Sequence, residues 1–259
     1  MRLFYRHIAI LSLPLLGITV SNSSDSDPEF APLFNGVNLD GWYTSIDREG
    51  RKGPQDIFTV TDGTIHAYGS HENGSEQPYG GLITTSSYSH YHLTLEYKWG
   101  ERKFIPRHDF VRDAGVIFHM LLPDTLWPNG VECQIQEGDT GDLWIIGTQA
   151  TSRIHSIIRN YSPTGELVTR GIPEQRFDRF HRAYCWEKPG WNRLDLIVKG
   201  DHAVFKVNGR TVNEAIDMKQ WDPETEKWIP LTEGPILLQA EGAEIFYRDI
   251  KINTNYEKE

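Results

Sequence analysis

The sequence predicts an all-β fold, a jelly-roll sandwich of two antiparallel sheets. Three observations predict it. Short runs alternate apolar and polar side chains with period two. Turn dipeptides such as Asp62-Gly63 and Asn208-Gly209 separate such runs. No stretch holds a period of 3.6 long enough to make a sizeable helix.

Each element follows from its pattern. Residues 57–60 and 64–68 read as a hairpin across Asp62-Gly63. In 91–99, Leu93, Leu95, Tyr97 and Trp99 share one face, with His92, Thr94, Glu96 and Lys98 on the other. Residues 114–120 set Val116, Phe118 and Met120 opposite Ile117 and His119. In 131–137, Val131, Cys133 and Ile135 alternate with Glu132, Gln134 and Gln136. Residues 192–198 and 203–207 pair across 199–202, and Asn208-Gly209 turns the chain into 210–212. Residues 236–241 and 244–252 close the domain, and a short helix is expected around 216–221. The charged connection 99–113 and the long 157–189 join strands, and long loops on a rigid sandwich carry function or disorder. No internal repeat or low-complexity linker divides the chain. One domain over 25–259 is therefore expected.

Residues 1–24 read as a secretory leader. Arg2 and Arg6 precede an apolar run at 8–20, and 21–27 is polar. A secreted or periplasmic location is expected, with no stable membrane insertion after cleavage. The chain carries 26 Lys and Arg against 36 Asp and Glu, net −10. That acidity excludes a phosphate backbone or an anionic membrane as the natural partner. Cys133 and Cys185 can form a disulfide after export or stay as two buried thiols. No Cys/His cluster has structural zinc spacing.

The polar side of 131–137 sets a carboxylate beside amides, the donor and acceptor mixture that sugar hydroxyls need. The spacing Glu132-x-Gln134-x-x-Glu137 looks like the Glu-x-Asp-x-x-Glu strand of laminarinase-type glucanases, with Gln at the Asp position. The plain alternative is a solvated strand face.

Several segments together resemble one family. They are Leu33-Phe-Asn-Gly36, Leu39-Asp-Gly-Trp42, Gly81-Leu-Ile-Thr84, the 93–99 strand, Ala114-Gly-Val-Ile-Phe118 and Val131-Glu-Cys-Gln-Ile135. Val207-Asn-Gly209, Gly234-Pro-Ile-Leu-Leu-Gln239 and 244–252 continue them in order. The ordered set resembles the 3-keto-disaccharide hydrolase family, also described as 3-keto-glucoside 1,2-lyase/2-hydroxy-3-keto-glucal hydratase. The resemblance implies a concanavalin A-like jelly roll and cleavage of glycosides already oxidised to a ketone at C3. Two departures stand out. Asp113-Ala114-Gly115 replaces a frequent Asn-Ser-Gly, and Ala240 follows Gln239 where the family often has His.

That chemistry needs a base, an acid and an oxyanion stabiliser. Glu132 and His119 are the candidate base and acid, with Lys98 for the oxyanion. Gln134, Gln239, Glu96 and Glu137 are candidate substrate-binding residues. Asp113, His119 and Glu132 could instead hold a divalent ion, and the sequence leaves both readings open. No cofactor other than such a divalent ion is expected. Asp139 and Asp142 read as a cation loop or, more plainly, as a Gly/Asp turn. Arg248 needs a partner, for which Glu241 is the candidate. Two other functions stay open: a retaining glucanase using Glu132 and Glu137, or a carbohydrate-binding module without catalysis.

Overall fold

The computed structural model describes residues 29–47, 49–52, 57–122 and 125–255. The expected leader at 1–24 lies outside them. In chain order the strands are β1 (Ala31–Pro32), β2 (Trp42–Ile46), β3 (Gly50–Lys52), β4 (Phe58–Thr61), β5 (Thr64–Ala67) and β6 (Gly80–Thr84). The long β7 (His90–Lys103) precedes β8 (Asp113–Phe118), β9 (Gly130–Gln136), β10 (Leu143–Ile146) and β11 (Thr148–Ile154). Then come β12 (Glu166–Arg170), β13 (Phe177–Phe180), β14 (Asn192–Lys199) and β15 (His202–Val207). β16 (Arg210–Asp222), β17 (Lys227–Pro230), β18 (Leu237–Ala240) and β19 (Ala243–Asn253) complete the chain.

These strands build two antiparallel sheets in a concanavalin A-like jelly roll. One has eight strands in the order β13-β10-β9-β8-β18-β6-β2-β3, the other eleven along the path β12-β11-β16-β15-β14-β7-β19-β5-β4. In the larger sheet β1 adds to β19 and β17 to β16. The core lies between the sheets. Leu93, Leu95 and Tyr97 meet Val116, Phe118, Val131, Cys133 and Ile135 there. Period-two alternation puts the intervening residues of each strand on the outer faces. Among the described residues no helix is long and apolar enough to cross a membrane.

The structure corrects several expectations. Residues 216–221 are not helical but part of β16. Val212, Ala215 and Met218 are buried at a three-residue spacing. That spacing comes from register shifts against β15 and β11, with Asp217 at φ +54°, and not from a helical turn. Arg248 pairs with Glu96 at 2.7 Å and lies over the Trp191 ring, while Glu241 pairs with Arg107. A second bulge, with Asp249 at φ +54°, separates outward Arg248 from inward Ile250. The two cysteines are free, Cys133 buried and Cys185 exposed. Asp139 and Asp142 form an arginine-bound turn: Arg182 reaches them at 2.8 and 2.9 Å.

Candidate active site

The outer face of the smaller sheet carries a cleft of about 440 Å³. Register fixes its floor as rows running across the strands. Phe177 on β13 pairs with Ile146 on β10, which pairs with Gly130 on β9. The next row is Trp144, Glu132, Ile117, Leu237 and Ile83. Then come Gln134 and Gly115, with Gln239 beside Gly81, and last Gln136 paired with Asp113. Going down the strands the floor changes from apolar to polar, and Glu132 stands at the boundary. Arg107, from the connection after β7, and Glu241, just after β18, close the polar end.

Gly115 leaves a trough into which Glu132 leans. A Cβ at this position would stand 2.0 Å from Glu132 Oε1 and 2.7 Å from Gln239 Oε1. Asp113 is held on both oxygens. Gln134 donates to Oδ1 at 3.1 Å and Gln136 to Oδ2 at 2.7 Å, and Arg107 approaches Oδ2 at 2.5 Å. Arg107 also reaches Glu241 at 3.3 Å. Asp113 and Glu241 thus share one guanidinium, and buried Glu132 lies in the same cleft.

That imbalance sets the protonation. Burial pushes the Glu132 carboxyl well above its usual range, and the charges of Glu241 and Asp113 push it the same way. The Gln239 amide opposes this. Burial, then the Asp113 charge, raises Glu241 to about 8 against the pull of Arg107. Burial raises Asp113 to about 6, opposed by Arg107, Gln136 and the Ala114 N–H. These shifts make Asp113 the carboxyl that ionises before Glu241 as pH rises, while burial holds the proton on Glu132. One base and two acids share one cleft.

The cleft also presents unused polar atoms. Gln134 Oε1, Gln239 Oε1, Arg107 Nε and Trp144 Nε1 are buried and have no partner among the described residues. Two acceptors and two donors suit a ligand rich in hydroxyls and carbonyls.

Of the sequence-predicted residues, Glu132, Gln134, Gln239 and Asp113 come together here. His119 does not. Its φ of +49° ends the β8 alternation, and the buried ring bonds through Nε2 to Gly200 O at 2.7 Å. Burial lowers it to about 4. Lys98 and Glu96 lie on the outer face of the other sheet. There Lys98 Nζ sits 4.8 Å from the Phe246 ring centroid and Glu96 binds Arg248. Glu137 pairs with Arg112 at 2.7 Å in a separate groove with Trp99 and Glu187. Glu132 and Glu137 therefore do not line one cleft. Among the described residues no three His, Cys, Asp or Glu side chains converge to hold a metal, and Asp113, His119 and Glu132 do not meet.

Sequence reasoning missed Arg107, Glu241, Gln136 as a ligand of Asp113, and the aromatic wall of Trp127, Trp144 and Phe177. Gln136 shares the parity of Glu132 and Gln134, and Glu241 shares that of Gln239, so alternation could have found both. Arg107 lies in a loop and carries no periodic signal.

Two solved structures share the fold. Both are Parabacteroides distasonis proteins provisionally described as glycosyl hydrolases. One is 20% identical with TM-score 0.51, over 87% of this chain and 99% of its own. The other is 18% identical with TM-score 0.51, over 87% and 93%. No curated protein matches the chain. Residues 29–253 match the profile described as the 3-keto-alpha-glucoside-1,2-lyase-like domain. That match spans both sheets and every residue of the cleft, so the chain belongs to the 3-keto-alpha-glucoside-1,2-lyase-like family of carbohydrate-active domains.

Proposed function

We propose that the protein cleaves 3-keto-glycosides by elimination across C1–C2 followed by hydration. The observation that carries this reading is one cleft that holds Asp113 and Glu241 on the Arg107 guanidinium, Glu132 beside them, and unpartnered amide oxygens. A ketone at C3 makes the C2 hydrogen acidic. Asp113, ionised near neutrality, takes that proton. Glu132 gives its proton to the glycosidic oxygen as the C1–O bond breaks and C1=C2 forms. Arg107 offsets the charge that develops at the C3 oxygen. Water then adds at C1 and yields a proton to Glu132, while Asp113, whose acidic proton exchanges with solvent, protonates C2. Both carboxyls end as they began, and the net reaction is hydrolysis. Gln134 and Gln239 accept from sugar hydroxyls.

This mechanism moves the base from Glu132 to Asp113 and leaves His119 and Lys98 without a role in it. Separation of Glu137 from the cleft rules out Glu132 and Glu137 as the two carboxyls of a retaining glucanase, which must flank one bond. The same proposal places the protein outside the cytoplasm, on the cationic, apolar and polar order of residues 2–27. Product analysis tests the function. A 3-keto-glucoside should give 3-keto-glucose by way of a 2-hydroxy-3-keto-glucal, while the unoxidised glucoside and a β-glucan stay intact. Release of sugar from either unoxidised substrate at a comparable rate counts against elimination. Detection of the protein only in the cytoplasm counts against export.

A further inference from the structure

The cleft does not end at its polar half. Beyond Glu132 the floor continues as Trp144 and Ile146, with Phe177 on the edge strand β13 and Trp127 opposite. Ile146 is buried, and Phe177 is 42% exposed. Two arginines pack against the rings. Arg179 lies 5.1 Å from the Trp144 ring centroid and Arg176 lies 5.2 Å from that of Phe177. Arg176 also donates to the Trp127 carbonyl, and Trp127 stacks on Tyr79. No carboxylate or side-chain amide lines this end among the described residues. Its one buried side-chain donor without a partner is Trp144 Nε1.

A glycoside bridging the two halves must set its scissile bond at Glu132, with the sugar over the amides and the leaving group over the rings. A second sugar there would present hydroxyls to a wall that lacks acceptors, and each desolvated hydroxyl without a partner costs affinity. A flat apolar group would instead meet three rings and an isoleucine. We propose that this end is an aglycone subsite selecting an aromatic aglycone. The substrate class is then a 3-keto-glycoside of an aromatic alcohol or phenol, in preference to a 3-keto-disaccharide. The inference rests on the elimination reading above.

The test compares kcat/KM for methyl 3-keto-glucoside, benzyl 3-keto-glucoside and a 3-keto-disaccharide, each in both anomers. Benzyl alcohol is a poor leaving group like a sugar hydroxyl, so the comparison reads binding of the ring and not leaving-group strength. The benzyl substrate should exceed both others by about tenfold, the scale of one good aromatic contact. Phe177→Ala should lower the benzyl value by about tenfold and shrink its advantage over methyl. Phe177→Leu should recover only part of it, with thermal unfolding confirming that both variants fold. If methyl is cleaved but benzyl does no better than the disaccharide, or Phe177→Ala lowers methyl and benzyl equally, the subsite is wrong and the chemistry stands. If all three 3-keto substrates are inert, the elimination reading fails and takes this inference with it.

Discussion

The Glu132 carboxyl lies across the Cα of Gly115, so close that a methyl group at residue 115 would stand 2.0 Å from Oε1. The relationship is local and directional. Gly115 sits on β8 without positive φ, so alanine fits its backbone and the only obstacle is the neighbouring side chain. Gly115→Ala should displace Glu132 and the Gln239 amide together. Overpacking of this kind costs about 1–3 kcal/mol. Turnover should fall by about 100-fold, since the proton donor leaves its position. Thermal unfolding and steady-state kinetics on one preparation separate the two effects. A variant with normal turnover would show that Glu132 need not lie in the trough.

Glu132→Gln keeps the shape and removes the proton. With a benzyl leaving group the loss should be on the order of 10²–10⁴ in rate. With a nitrophenyl group, which departs without protonation, the loss should shrink to less than about tenfold. Equal losses on both substrates would take Glu132 out of the role of acid.

The pH profile of kcat/KM should be bell-shaped. Asp113, raised to about 6, must be ionised, and Glu132, raised by burial and in part by the charge of Glu241, must stay protonated. Because the carboxyls interact, the two limbs belong to the group as a whole. Glu241→Gln should remove or shift the upper limb and leave the lower one. An unchanged upper limb would separate Glu241 from the profile.

Above about pH 6.5, where His119 is neutral folded or unfolded, stability should fall as pH rises. Glu241 is raised from its ordinary value to about 8, and burial raises Glu132 well above its usual range as well. A carboxyl whose folded pKa is raised contributes fully below its unfolded pKa and loses that contribution as pH climbs through the folded value. For Glu241 the window runs from about 4.5 to about 8. Glu241→Gln should flatten the melting temperature across that window. Buried His119, lowered to about 4, adds stability as pH rises to about 6.5, so the decisive range is pH 6.5 to 8, where a rising melting temperature would contradict the buried, protonated cluster.

Lys98→Ala should leave turnover within about twofold. Its ammonium faces Trp191 and Phe246 on the opposite sheet, and such surface changes shift stability by about 0.5 kcal/mol or less. A loss of 100-fold would return Lys98 to the mechanism.

Period-two alternation made much of this molecule legible from its residues. It identified the Glu132 and Gln134 face, the inward Leu93, Leu95 and Tyr97, and the closing strand with Gln239. It failed where one residue resets parity. The positive φ of His119 turns an apparent cleft residue into the core. The Asp249 bulge puts Arg248 on the outer face, where Glu96 and not Glu241 answers it. Bulges in β16 imitate a helical spacing. Arg107 has no pattern, because a loop residue is placed by the tertiary fold alone. Which carboxyl shares which cation depends on strand order, and alternation within one strand carries no information about its neighbours.

Hydrogen exchange at C2 tests the central claim most directly. A 3-keto-glucoside incubated with the protein in deuterium oxide should gain deuterium at C2 or pass to the 2-hydroxy-3-keto-glucal. Asp113→Asn should abolish this, and Glu132→Gln should retain it. Cleavage of the 3-keto-glucoside with no deuterium at C2 of the product, together with efficient hydrolysis of the unoxidised parent, would contradict the account.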